Sequence, residues 1–183
     1  MVINEILKCE QCGSTYSITN EVIDFVAGRG TTKLDEIDYD SLYRISDEAS
    51  PLVPEIIRCA GFRWPPSLGR VLEIGAGTGG QTLSLIKNAR FDELAITDIS
   101  PKMLLLCRER LVRTNLLGER PQLFATYGAT DSPFSDSSFD TCFGSSVVHH
   151  IADVDRFLED IVRTLKPDGV ALFVEPNLRF HRA

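Results

Sequence analysis

From Arg70 onward, short apolar runs alternate with longer segments of mixed polarity. The apolar runs predict β-strands over 71–74, 94–97, 123–126, 139–143 and 170–174, and the longer segments predict helices over 78–88, 101–114 and 153–165. Strands that alternate with helices favour parallel pairing through right-handed crossovers. The pattern therefore predicts a doubly wound α/β fold with a mostly parallel sheet.

The first third of the chain has a different pattern. Residues 6–27 predict short strands with turns, 28–40 predict a polar linker, and 40–60 predict helical stretches. We divide the chain into a small leader at 1–30, a helical linker or lid at 31–67, and an α/β core at 68–183. The aromatic residues Tyr39, Tyr43 and Trp64 are candidates for a lid, and they fit equally well as packing residues.

A glycine-rich turn follows the first strand of the predicted core. The strand at 71–74 leads into Gly75-Ala76-Gly77-Thr78-Gly79-Gly80 and then into a helix. Glycines let a ligand approach the backbone, and a helix start offers N–H groups to it. Asp98 ends the next strand, where a carboxylate can accept hydrogen bonds from two ribose hydroxyls. These features predict an adenosine-containing ligand, and they fit both NAD and S-adenosylmethionine.

Glu73 favours S-adenosylmethionine over a dinucleotide. It lies in an otherwise apolar strand, where a carboxylate without a partner is costly. S-adenosylmethionine carries a sulfonium and an ammonium group, whereas the pyrophosphate of a dinucleotide would be repelled by this carboxylate. The alternative is that backbone N–H groups hold Glu73.

Five segments, in this order, resemble the motifs of class I S-adenosylmethionine-dependent methyltransferases, in particular the group that acts on small molecules. The segments are 71–79, 95–104, 132–140, 147–151 and 165–169, and the resemblance covers roughly residues 68–177. It implies a Rossmann-like fold and methyl transfer from S-adenosylmethionine to a small-molecule acceptor. An RNA methyltransferase, an NAD-binding oxidoreductase and a non-catalytic cofactor-binding subunit are the alternatives.

The resemblance also implies roles for individual residues. It places Gly75, Ala76, Gly77 and Gly79 in the turn at the methionine part of the cofactor, Asp98 at the ribose, Ile99 and Met103 on the adenine, Ala129 at the adenine edge, and Gly144 and Ser145 near the methionine amino group. At Gly128 the family often has an aspartate that contacts the adenine amino group, so the chain departs from the pattern there.

Two histidines follow the fourth strand of the core, at the end of the sheet where substrate is expected. His149 and His150 are both candidate general bases for an acceptor that must lose a proton. A structural role is the alternative for each, because histidine often serves only as a hydrogen-bond partner.

Net charge and the length of apolar runs limit the kinds of molecule with which the protein is expected to interact. The formal net charge of −7 disfavours a nucleic-acid substrate, and the absence of long apolar runs disfavours a membrane span or a secretion signal. We therefore expect a cytoplasmic protein.

Cys9-x-x-Cys12 resembles half of a zinc knuckle, as in zinc-ribbon-like leaders that precede many methyltransferase domains. We predict no bound metal because two further ligands are missing, and a zinc site completed by another molecule is the alternative.

The C-terminal part of the predicted core is short. The family usually continues after the fifth strand with a helix and two more strands, whereas this chain stops at Ala183. We therefore expect the sheet to lack its last two strands, which leaves its edge open. Either the chain is truncated, or a second chain in an oligomer or a complex covers this edge.

Overall fold

The computed structural model describes residues 4–10, 12–26, 47–61 and 67–176. Within these residues, eight strands form one sheet in the order β1-β2-β3-β6-β5-β4-β7-β8. The strands are β1 Asn4–Lys8, β2 Thr15–Thr19, β3 Val22–Asp24, β4 Arg70–Ile74, β5 Glu93–Asp98, β6 Gln122–Thr126, β7 Phe139–Ser145 and β8 Leu165–Val174. The helices are α1 Leu52–Cys59, α2 Gly80–Asn88, α3 Pro101–Arg113 and α4 Val154–Thr164, with a short 3-10 helix at Val148–His150.

The centre of the sheet is parallel, which confirms the predicted α/β architecture. In the row β3, β6, β5, β4, β7 and β8, each strand pairs in parallel with the next. Two buried apolar clusters lie against this sheet, and each contains side chains of β4. Ser100 begins α3 as predicted, because its hydroxyl accepts a hydrogen bond from the Met103 N–H at 3.3 Å.

Two elements differ from the prediction at their ends. Helix α2 begins at Gly80 rather than at residue 78, because Gly79 has a φ of 84° and is not helical. Strand β8 begins at Leu165 rather than at residue 170. Asp168 lies within it at a φ of 68°, a left-handed conformation that aspartate tolerates better than most residues.

The leader strands belong to the main sheet, which the sequence did not predict. Strands β1, β2 and β3 form an antiparallel meander, and β3 pairs in parallel with β6. Val22 is buried in the same apolar cluster as α2 and α3, and Glu21 forms an ion pair with Arg108. The predicted polar linker at 28–40 and the aromatic residues Tyr39, Tyr43 and Trp64 lie outside the described residues, whereas α1 lies within the predicted helical stretch at 40–60.

Helix α4 has two apolar faces. Phe157 and Ile161 are buried, whereas Val154, Leu158 and Val162 are 38%, 45% and 72% exposed at a spacing of four residues. In the part of the chain that the structure describes, no helix is long and apolar enough to cross a membrane.

Candidate cofactor site

A cavity of about 440 Å³ lies where β4, β5, β6 and β7 end. This is the edge at which open parallel α/β sheets bind ligands. The lining residues come from these strand ends and from the segments that follow them: Ile74, Gly75, Gly77, Thr97, Asp98, Ile99, Met103, Tyr127, Ala129, Ser146, Val147, His150 and Ile151.

The glycines of the turn after β4 have different roles. A Cβ at Gly75 would lie 2.7 Å from Val147 Cγ2, and a Cβ at Gly79 would lie 2.6 Å from Cys107 Sγ. Both glycines therefore permit close packing of protein against protein. Gly77 has a φ of 54° and nothing within 4 Å of its Cβ position, so its side of the turn is open to a ligand.

Asp98 is fixed at the wall of the cavity, where β5 ends. Its Oδ2 accepts a hydrogen bond from the Gly77 N–H at 2.8 Å, and its Oδ1 accepts one from the Ser100 N–H at 2.9 Å. The carboxylate thus joins the glycine turn to the start of α3. Each carboxylate oxygen has two lone pairs, so hydrogen bonds to a ligand hydroxyl are compatible with these contacts.

Glu73 lies behind the turn and does not line the cavity. It is 1% exposed, and its Oε2 atom has no hydrogen-bond partner among the described residues. Burial raises its pKa to about 8, the charge of Asp98 acts in the same direction, and a hydrogen bond with Thr82 opposes the shift. The protonated, neutral carboxyl is therefore favoured at neutral pH in the protein alone.

The structure brings together about half of the predicted cofactor residues. Gly75, Gly77, Asp98, Ile99, Met103 and Ala129 line the cavity. The others lie outside its lining: Glu73, Ala76, Gly79, Gly128, Gly144 and Ser145. Of these, Ala76 donates its N–H to the Thr97 carbonyl at 2.9 Å, Gly144 packs against Phe173 and Val147, and Gly128 borders a second cavity of about 160 Å³.

Sequence reasoning missed six lining residues, which are Ile74, Thr97, Tyr127, Ser146, Val147 and Ile151. Ile74 and Thr97 lie at or next to the ends of β4 and β5, Tyr127 directly follows β6, and the other three follow β7 within six residues. Since ligands bind at the carboxyl ends of parallel strands, these positions could have been found by taking every residue around each predicted strand end.

The two candidate histidines have different surroundings. His150 lines the cavity, whereas the Nδ1 atom of His149 lies 2.6 Å from Glu175 Oε2. Glu175 Oε1 also accepts the backbone N–H groups of Val147 and Val148, each at 2.9 Å. Although burial opposes its ionisation, these hydrogen bonds lower the pKa of Glu175. This carboxylate therefore anchors the segment that contributes Val147 and His150 to the cavity wall.

The cysteine pair lies in the turn between β1 and β2. Gly13 donates its N–H to the Cys9 carbonyl at 2.9 Å, and Cys12 Sγ lies 3.2 Å from Ser14 Oγ. Among the described residues, no group of three or more cysteine, histidine or acidic side chains could hold a metal ion. The pair alone supplies two of the four ligands of a structural zinc site.

Residues 72–173, which run from the middle of β4 to the penultimate residue of β8, match a protein family described as methyltransferase domain. The chain belongs to this family. Membership and a solved structure of this fold indicate that the domain is a methyltransferase whose cofactor is S-adenosylmethionine.

The methyltransferase domain is similar to two curated relatives of different size. The demethylmenaquinone methyltransferase of Tropheryma whipplei is 37% identical over 101 residues, which are 54% of this chain and 38% of that protein. The highly reducing polyketide synthase easB of Emericella nidulans is 34% identical over 119 residues, which are 62% of this chain and 5% of the synthase. The chain thus spans well under half the length of each.

A solved structure supports the same assignment. The phosphoethanolamine N-methyltransferase 2 of Haemonchus contortus, in complex with phosphomonomethylethanolamine and S-adenosylhomocysteine, superposes with a TM-score of 0.57 and 28% identity. The superposition covers 66% of this chain and 27% of that protein.

Proposed function

We propose that the methyltransferase domain transfers the methyl group of S-adenosylmethionine to a small, mainly apolar acceptor. The cavity at the strand ends carries this proposal, because it joins the open glycine turn, a fixed carboxylate and an apolar wall in one space. Asp98 would bind the ribose, Ile99, Met103 and Ala129 would pack on the adenine, and the methionine part would lie over Gly75 and Gly77.

The positive charge of the donor determines what the protein has to supply. The sulfonium already activates the methyl group, so the main tasks are to align the acceptor with the methyl carbon and sulfur and to exclude water. Asp98 at the wall adds negative potential near this cation, and the cation in turn acts on the buried carboxyl of Glu73 behind the turn. Donor binding would therefore favour the ionised form of Glu73.

The far wall of the cavity favours an apolar acceptor without a phosphate group. Val147 and Ile151 are apolar, and no lysine or arginine is among the described residues that line the cavity. Two relatives agree with this preference, since their names refer to demethylmenaquinone and to polyketides, which are largely apolar small molecules. Phosphomonomethylethanolamine, the ligand of the solved neighbour, would lack a cationic partner among these lining residues.

His150 is the proposed general base for an acceptor that loses a proton, because it lines the cavity. His149 has a supporting role, since its Nδ1 atom contacts Glu175, which also accepts the backbone N–H groups of Val147 and Val148. Replacing His150 by alanine should lower kcat at least about a hundredfold with a phenol or hydroquinone acceptor. An unchanged kcat and pH profile for this variant would exclude the base role.

The test of the donor site compares two aspartates at opposite ends of β5. Asp98→Ala should weaken S-adenosylhomocysteine binding about tenfold to a hundredfold, because hydrogen bonds to a charged group are lost. Asp92→Ala is the matched control, since Asp92 is exposed and precedes β5. Isothermal titration calorimetry measures both dissociation constants, and equal values for the variants would contradict the proposed site.

Two further measurements test the reaction class and the acceptor. Thermal stabilisation by NADH with none by S-adenosylhomocysteine would favour an oxidoreductase instead. Release of S-adenosylhomocysteine with a panel of apolar phenols and hydroquinones would support the acceptor class, and turnover only with RNA would contradict it.

All five cysteines are unpaired, as expected in a reducing compartment, which supports the cytoplasmic location that we propose.

A further inference from the structure

The N-terminal meander reaches the edge of the donor cavity although it lies outside the family match at 72–173. Strand β3 pairs with β6 so that Asp24 is opposite Thr126, and Thr126 is in turn opposite Asp98 on β5. These three residues form a row across adjacent strand ends. Asp98, the proposed ribose-binding residue, thus lies on the strand next to β6, and the meander contacts β6 directly.

Direct hydrogen bonds join the meander to the end of β6. The buried Thr126 hydroxyl donates to Asp24 Oδ1 at 2.6 Å, and the Phe25 N–H donates to the Thr126 carbonyl at 3.0 Å. Asp24 Oδ1 also accepts the Val26 N–H at 2.9 Å. On the other side, Tyr127 donates its N–H to the Asp98 carbonyl at 3.3 Å. The end of β6 is therefore held between the meander and β5.

This strand end leads into the residues that line the nucleoside end of the cavity. Tyr127 and Ala129 border the donor cavity, and Tyr127 also borders the second cavity together with Tyr16 and Phe25. The rings of Tyr16 and Phe25 pack with centroids 4.6 Å apart. The Tyr127 side chain is buried, and its ring packs edge-on against Phe134 with the centroids 5.9 Å apart, so packing holds this side chain in place.

We propose that the meander is part of the donor-binding machinery, because Asp24 and the Phe25 backbone fix the end of β6 and thereby position Tyr127 and Ala129. Asp24 and Thr126 are positioning residues in this arrangement, since neither lines the cavity. The inference rests on the proposed function, in which Ala129 packs at the adenine of S-adenosylmethionine.

The decisive variant removes the acceptor of the buried Thr126 hydroxyl. Asp24→Ala should raise the dissociation constant for S-adenosylhomocysteine about tenfold, because a buried hydroxyl is left unpaired and the strand end shifts to satisfy it. Asp24→Asn should bind nearly as well as the unsubstituted protein, since its amide oxygen can accept the same hydrogen bond. Ile6→Ala is the control, because Ile6 is 75% exposed on β1, which belongs to the same meander but is separated from β6 by β2 and β3.

A second readout separates donor positioning from stability alone. Asp24→Ala should raise KM for S-adenosylmethionine and leave kcat unchanged, because the nucleoside end contributes equally to the ground state and the transition state. Binding is measured under conditions where circular dichroism shows every variant to be folded. A lower urea midpoint with an unchanged dissociation constant would overturn the inference, and so would a lower kcat with an unchanged KM.

The unsubstituted protein distinguishes this inference from the proposed function. If it fails to bind S-adenosylhomocysteine, the proposed function fails. If it binds, and Asp24→Ala binds equally well, only the role of the meander is refuted.

Discussion

Glu73 gives a prediction about how stability depends on pH. Its pKa is raised from 4.5 to about 8 by burial, with a contribution from Asp98. Between these two pH values the folded protein keeps a proton that the unfolded chain has released. The free energy of unfolding therefore falls as pH rises through this window, by about 1.4 kcal/mol per pH unit and by about 5 kcal/mol in total.

The substitution Glu73→Gln removes this titration and keeps the shape of the side chain. The amide places a new polar group in a site where Oε2 already has no partner among the described residues, which costs about 1–3 kcal/mol. Near pH 5 the variant should therefore be slightly less stable than the unsubstituted protein. Near pH 8.5 it should be more stable by about 2–4 kcal/mol, because the cost of ionising the buried carboxyl is gone.

Urea titrations at pH 5, 7 and 8.5 measure this difference for the protein without ligand. Glu119→Gln is the matched control, since it removes the same charge from an exposed side chain and should follow the unsubstituted protein at every pH. If Glu73→Gln and the unsubstituted protein show parallel pH dependences, the assignment of a protonated buried carboxyl is wrong.

Two further predictions concern packing and thiol chemistry. Gly79→Ala should lower the free energy of unfolding by about 2–4 kcal/mol, because the new Cβ would overlap Cys107 Sγ at a residue with a left-handed φ. Gly118→Ala is the control, because Gly118 also has a left-handed φ but has open space at its Cβ position. Urea unfolding should show a loss of only about 1 kcal/mol for this control. Cys12 is exposed and hydrogen bonds with Ser14 lower its pKa, whereas burial raises the pKa of Cys107, so a thiol reagent should label Cys12 first and Cys107 only upon unfolding.

The features predicted well from sequence are those with a local physical signal. Ser100 caps the N-terminus of α3 and is followed directly by Pro101, so the signal for the start of this helix lies in two adjacent residues. The turn at 75–80 combines glycines whose left-handed φ values only a few residues tolerate. Asp98 was predicted because the end of β5 can be recognised from its own apolar run, and the structure places it at the cavity wall.

The features that were missed depend on pairings between distant residues. The contact between Asp24 and Thr126 joins residues 102 positions apart, and neither neighbourhood carries a pattern that specifies the other. The same holds for Glu175, which reaches back 26 positions to His149. Such contacts follow from the order of strands in the sheet, which hydrophobic periodicity along the chain does not encode.

The exposed apolar row on α4 has a consequence for the protein in solution. Val154, Leu158 and Val162 would attract a second molecule through the same face, and the net charge of −7 opposes this contact by mutual repulsion. Added salt screens that repulsion, and acidification toward the isoelectric point near 5.0 removes it. Self-association should therefore increase with ionic strength and at mildly acidic pH. Replacing Val162 by a polar residue should prevent this self-association under both conditions.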